Sequence, residues 1–365
     1  FVYYGFNCLR MGTTAPTAQA AGAEGWTEVR GMLGRALFLA STIAGCLLAL
    51  QNLIVDFAFW FIEASAEVEY LGSRYFLIRV WATPAAMSTY VIIGWFYGLQ
   101  EVRIPLILQI STNAINIVLD LLFVFGFGWG VEGVAAASVI AEYAGLIIGA
   151  AMVWRTLSRL GGRAGWSRIL DPARFRHMVA INRDIFLRTL CLIAAFAYLT
   201  AQGARMGDVI LAANAVLFNM VTFMAYALEG FAGASQAMVG RAVGAGSKAD
   251  YRGAVHYSSL WALAFAAAFT VAYAVAGSSI VDILTTMTEV RAVAYAALPW
   301  MIAAPLVSVW GYQFDGIFIG ATRSVEMRDA MIVSLLIYLI ATEAFRPLLG
   351  NHGIWLGFTV FMIAR

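Results

Sequence analysis

The segment Gly94-Trp95-Phe96-Tyr97-Gly98 returns as Gly316-Ile317-Phe318-Ile319-Gly320, 222 residues further along. The same offset carries Ala20, Gly22, Ala23, Glu28, Arg30 and Gly31 onto Ala242, Gly244, Ala245, Asp250, Arg252 and Gly253. Gly133, in Val-Glu-Gly-Val, meets Gly353, in Asn-His-Gly-Ile, at an offset of 220. Any one patch could arise by chance in an Ala/Gly-rich chain. Three patches at nearly one offset mark a duplication. The surrounding sequence is apolar: of 365 residues 62% are hydrophobic and 12% charged, with a mean hydropathy of +0.81. A soluble domain is closer to half apolar and a quarter charged, so a soluble enzyme, a nucleic-acid-binding protein and a disordered chain are excluded. The two GxxxG spacings fit close helix packing better than a phosphate loop.

Apolar stretches of roughly 20 residues cross a hydrocarbon core as helices. They fall near 1–20, 33–62, 76–99, 104–127, 131–154, 180–203, 209–240, 254–276, 292–320, 327–349 and 353–365. Barrel strands would alternate over about ten residues, and Val131 to Trp154 does not alternate. The expected fold is an all-α polytopic membrane protein with two six-helix lobes. Duplicated halves are the usual plan of secondary transporters, and matching patches fall on one predicted side, so the lobes are parallel and not inverted repeats. The expected boundaries are an N-terminal lobe over 1–157, a cytoplasmic linker over 158–179 and a C-terminal lobe over 180–365. Subtracting the offset places one helix and about half of the next before Phe1, and runs the last helix past Arg365. That predicts twelve helices in an intact protein, about eleven of them in this sequence.

Net charge is only +2, from 23 Lys+Arg and 21 Asp+Glu, which implies no polyanionic partner. Its distribution is uneven. With the loop after the first segment on the cytoplasmic side, alternate loops carry sixteen basic residues against five, Arg74, Arg79, Arg205, Arg291 and Arg346, on the other side. This is a positive-inside bias. The acidic loop Glu63, Glu67, Glu69 falls on the outer side, and the Arg/Gly-rich 158–179 stretch reads as a solvated loop.

Polar groups inside spans are costly and are functional candidates by default. Asn113, Asn116 and Asp120 lie at i, i+3 and i+7, one helix face, and Ser138 sits one helix along. Together they can hold a proton or coordinate a small hard cation through oxygens; the structural alternative is an Asn–Asp network joining helices. Thr222, Tyr226 and Glu229 share the spacing and order of Ser308, Tyr312 and Asp315. Each stripe places a carboxylate beside a phenol, suited to proton loading or to an amphipathic cation. Glu142 and Glu343 read as inter-helix ties or as interfacial residues. Arg10 is the one basic residue expected well inside a span, and 180–203 shows no embedded acid between Asp184 at its entrance and Asp208 beyond it. Cys8, Cys46 and Cys191 lack metal-ligand spacing, and His177, His256 and His352 lie far apart. No HExxH motif or nucleophile–base pair appears, so neither an enzyme nor a cofactor is expected.

The stretches at 9–23, 113–120, 131–143, 181–188 and 315–323 resemble the MATE family of multidrug and toxic compound extrusion transporters. The Arg-Met-Gly-Thr-Thr and Asn-Arg-Asp segments are similar to its DinF-like branch. The resemblance implies two six-helix lobes around a central cavity and antiport of organic, often cationic, compounds against protons or sodium. It carries coupling roles onto Asn116 and Asp120 and an acidic tenth-helix position onto Asp315. The family's first-helix aspartate is expected before Phe1. The resulting expectation is a multi-pass inner-membrane antiporter, monomeric, whose partners are the bilayer and small organic cations or amphipathic drugs. It binds no nucleic acid. Protons are the expected coupling ion, with sodium the alternative. A rival reading is a flippase for lipids or lipid-linked oligosaccharides, which would need basic side chains facing its cavity.

Overall fold

The computed structural model describes residues 5–61, 65–162 and 164–365. Glu63 and Arg163 lie outside them. All regular structure among the described residues is helical: α1 Cys8–Gly22, α2 Trp26–Ala49, α3 Gln51–Phe61, α4 Ala66–Arg79, α5 Thr83–Gly98, α6 Arg103–Leu121, α7 Val131–Arg159, α8 Trp166–Ile169, α9 Pro172–Ala204, α10 Asp208–Gly244, α11 Lys248–Leu284, α12 Thr288–Gly320, α13 Ser324–Leu349 and α14 Asn351–Ala364. Nine helical stretches among the described residues are long and apolar enough to cross a membrane. The expected span at 33–62 is divided, since α2 ends at Ala49 and α3 begins at Gln51. No Gly or Pro marks that break, so hydropathy alone runs through it. The span expected at 76–99 starts earlier, at Ala66, and passes a 3₁₀ turn at Val80–Ala82 just before Pro84.

The chain forms two compact units, residues 1–180 and 181–365. In the first, α5 packs on α1, α2 and α7, while α6 pairs with α7. In the second, α12 packs on α10, α11 and α14, while α13 pairs with α14. The 222-residue offset maps one contact pattern onto the other. It holds to the level of single atoms. A Cβ on Gly94 would run into the Arg10 carbonyl, and one on Gly316 into the Ala232 carbonyl. A Cβ on Gly98 would lie 2.7 Å from the Thr14 carbonyl oxygen, and one on Gly320 2.7 Å from that of Gln236. Each pair of partners is again 222 apart. Only glycine lets two helix backbones approach this closely, which in a bilayer replaces the hydrophobic drive for association.

The turns repeat as well. After α1, Gly25 N–H donates to the Ala20 carbonyl at 2.8 Å, and after α10, Ser247 N–H donates to Ala242 at 3.1 Å. After α5, Glu101 N–H donates to Phe96 at 2.9 Å, and after α12, Arg323 N–H donates to Phe318 at 2.8 Å. These are i→i−5 bonds of the Schellman type, closed by a left-handed residue. That residue is Glu24 (φ 53°), Gly246 (φ 66°), Gln100 (φ 63°) and Thr322 (φ 57°) in turn.

The polar stretch that ends the first unit is fastened to α2. Glu28 on α2 accepts from Arg35 and Arg174, with Arg168 at 3.7 Å. Arg35 also donates to the Arg168 carbonyl at 3.0 Å. Arg30 donates to the carbonyls of Leu157, Leu160 (2.5 Å) and Gly161 (3.0 Å), closing the C-terminus of α7.

Gly316→Ala is expected to destabilise the protein by about 1–3 kcal/mol through overpacking. Gly233→Ala, whose Cβ meets nothing within 4 Å, should be neutral or gain up to about 1 kcal/mol of helix propensity. Thermal unfolding in detergent checks both, and equal Tm shifts would contradict the contact.

Candidate functional site

In the first unit the polar face of α6 lies against α7. Asn116 Nδ2 donates to Ser138 Oγ at 3.4 Å. Both residues are half-buried and Asn113 is exposed. Asp120, one turn beyond Asn116, is half-buried, and its Oδ1 is buried with no hydrogen-bond partner among the described residues. Directly after it the helix widens into a π turn at Leu122–Gly126, where Phe127 N–H donates to the Leu122 carbonyl at 3.1 Å. Such turns bend a helix and recur beside functional groups. The carboxylate therefore sits at a local irregularity with one oxygen uncommitted, an arrangement able to take up a proton or a small cation. Glu142, on α7, pairs with Arg79 at 3.4 Å, as an inter-helix tie would.

The second unit treats its carboxylates differently. Asp315 is 6% exposed on α12, and its Oδ2 accepts from Arg188 and from Arg365 Nη2, the latter at 3.0 Å. The Arg365 guanidinium also lies 4.7 Å from the centre of the Tyr312 ring. Asp315 and Tyr312 are thus brought together, and Ser308 is buried on the same helix. The matching stripe on α10 is less enclosed: Glu229 and Thr222 are half-buried and Tyr226 is 66% exposed. Glu343 accepts from Tyr198 (2.6 Å), Gln202 (3.0 Å) and Arg346 (3.3 Å), tying α13 to α9.

Two charged residues early in the span expected at 180–203 are buried. Asp184 is 1% exposed and lies inside α9, where it accepts from Arg328 (2.8 Å), Ser324 (3.1 Å) and Arg183 (2.9 Å). It is a buried acid. Arg188, one of the sixteen basic residues counted toward the cytoplasmic side, is 7% exposed in the same helix, whereas Arg10 is half-buried. The reason is the length of α9. Its 33 residues span about 50 Å, and it begins at Pro172, eight residues ahead of the expected span, so Asp184 and Arg188 fall inside it and not at its entrance. The readable signal was the i, i+4 spacing of Asp184 and Arg188, which places both on one helix face. Among the described residues, no group of three or more His, Cys, Asp or Glu is placed to hold a metal.

Comparison with known proteins gives this arrangement a family. The MatE family model matches residues 1–122 and 185–342. The chain belongs to the MatE family. This MatE protein is 40% identical over 361 residues to the DNA damage-inducible protein F of Escherichia coli, covering 98% of this chain and 78% of that one. It is 24% identical over 267 residues to the probable multidrug resistance protein NorM of Thermotoga maritima, covering 70% and 55%. Its fold matches an outward-facing multidrug resistance MATE family transporter of the MOP superfamily with a TM-score of 0.91, at 17% identity, over 99% of this chain and 82% of that chain. It also matches a Pyrococcus furiosus MOP superfamily transporter, described as having a binding pocket of reverse polarity, with a TM-score of 0.89 at 16% identity, over 99% and 82%. Membership places it among transporters and not enzymes, as a multi-pass protein of the inner membrane.

Arg188→Gln leaves Asp315 without one of its two arginines and should cost about 3–5 kcal/mol, as breaking buried pairs does. The double variant Arg188→Gln, Asp315→Asn removes both charges and should recover at least half of that loss. A thermal-unfolding double-mutant cycle reads the coupling; additive losses would deny the pair its structural role.

Proposed function

We propose that this MatE protein exports organic compounds, many of them cationic, in exchange for protons by alternating access. The observation that carries the reading is Asp120, whose Oδ1 is buried with no hydrogen-bond partner among the described residues within a span, while buried acids of the second unit are held by arginines. An unpaired carboxylate is costly away from water, and a proton removes the charge. Loss of that proton restores it, so Asp120 can bias the packing of α6 on α7 between two states. Asn113, Asn116 and Ser138 supply the adjoining polar face, and Asn116 with Ser138 ties it to α7. Asp315 and Tyr312, with Glu229 and Tyr226, form the second-unit candidates, Asp315 as a fixed charge that shapes the site. Relatives named for multidrug resistance and for multidrug and toxin extrusion support small organic substrates. The flippase reading gains nothing from Arg188 and Arg365, because both guanidinium groups are engaged by Asp315.

Asp120→Asn is expected to reduce dye efflux driven by an imposed pH gradient by about a hundredfold, the lower end of what a positioned proton-transfer group contributes. Everted membrane vesicles give the measurement. Efflux unchanged in the variant would remove Asp120 from coupling, and efflux driven by a sodium gradient alone would replace the proton by sodium.

A further inference from the structure

The stretch from the end of α7 to the start of α9 carries charge that the transport reading does not use. Residues 150–180 hold six arginines, Arg155, Arg159, Arg163, Arg168, Arg174 and Arg176, against one acid, Asp171, a surplus of five. Asp171 is engaged at the start of α9, accepting from the backbone N–H of Ala173 (3.0 Å) and Arg174 (3.2 Å). Glu28 neutralises part of the surplus through Arg168 and Arg174. Arg155, Arg159 and Arg176 are exposed and have no acid within ion-pair distance among the described residues. Three large apolar side chains stand exposed beside them: Trp154 (76%), Trp166 (75%) and Leu170 (48%).

Helix length sets the depth of this surface. The 29 residues of α7 rise about 43 Å against a hydrocarbon core of about 30 Å. The last turns of α7, with Trp154, Arg155 and Arg159, therefore emerge into the headgroup layer. Tryptophan favours that layer, and arginine there meets lipid phosphate. The Glu28 contacts hold the intervening segment against α2, so its charges are presented on a fixed surface.

We propose that the Trp154–Arg176 surface binds the anionic phospholipid headgroups of the cytoplasmic leaflet. This goes beyond transport and does not depend on it. The test uses the purified protein in mixed micelles of equal phosphatidylglycerol and phosphatidylcholine, read by native mass spectrometry. Wild type should retain phosphatidylglycerol over phosphatidylcholine by about fivefold or more, given that each arginine near an anionic surface supplies roughly that factor. The triple variant Arg155→Gln, Arg159→Gln, Arg176→Gln should fall to near parity, while Arg205→Gln at the other end of the spans keeps the preference. Trp166→Ser, which removes no charge, should weaken retention of both lipids alike. Parity in wild type, or an unchanged preference in the triple variant, overturns the proposal. So does displacement of phosphatidylglycerol by millimolar inorganic phosphate, which would mark a free-anion site instead of a lipid surface.

Discussion

The contact of two helix backbones, made possible by Gly94 in one unit and Gly316 in the other, is the constraint on which the structure depends. In a bilayer the lipid is as apolar as the side chains, so helices gain little from hiding apolar surface from one another. What holds them is close fit. Gly94 brings α5 against the Arg10 carbonyl of α1, and Gly316 brings α12 against the Ala232 carbonyl of α10. In the first unit α2 and α7 also pack on α5, and in the second α11 and α14 also pack on α12. The position next to that contact is fixed as a consequence. On α12 it is Asp315, whose carboxylate is delivered to Arg188 and Arg365 by a backbone that cannot slide.

The scaffold is duplicated but its chemistry is not. At the 222-residue offset Asp315 corresponds to Ile93, while Asp120 and Asn116 correspond to Thr342 and Tyr338. The first unit thus carries a carboxylate oxygen with no partner among the described residues where its counterpart has a hydroxyl. The second carries a clamped ion pair where its counterpart has an aliphatic side chain. One set of helix contacts supports both arrangements, because the residues that make the contacts are glycines and backbone carbonyls. Side chains one position away were free to diverge.

Most of the architecture was legible in the sequence. The repeated glycines marked the tight contacts, and the apolar runs located the spans, though those expected from 76 and 180 begin at Ala66 and Pro172. The polar face of α6 was visible as a spacing, and Asn116 with Ser138 meets in space as neighbouring helices allow. What escaped was charge compensated over long sequence distance. Arg188 finds Asp315 127 residues away, and Asp184 finds Arg328 144 residues away. Hydropathy scores each such residue alone, so a compensated pair inside a span looks like two loop residues. The division at Leu50 was invisible for a different reason, since no residue there refuses helical geometry.

The fastening around Glu28 has a bearing on assembly in time. Its hydrogen bonds close loops of 131, 133 and 146 residues, and every partner lies before residue 181. During synthesis the chain emerges N-terminus first, and its parts fold in that order. The arginines at 168 and 174 are among the last residues of the first unit to appear, so the clasp shuts only when everything it encloses has been made. It then seals the earlier half just as α9 begins to emerge. Two near-copies on one polypeptide risk exchanging helices, and a late-closing ionic seal on the first copy limits that exchange to the interval before the second exists.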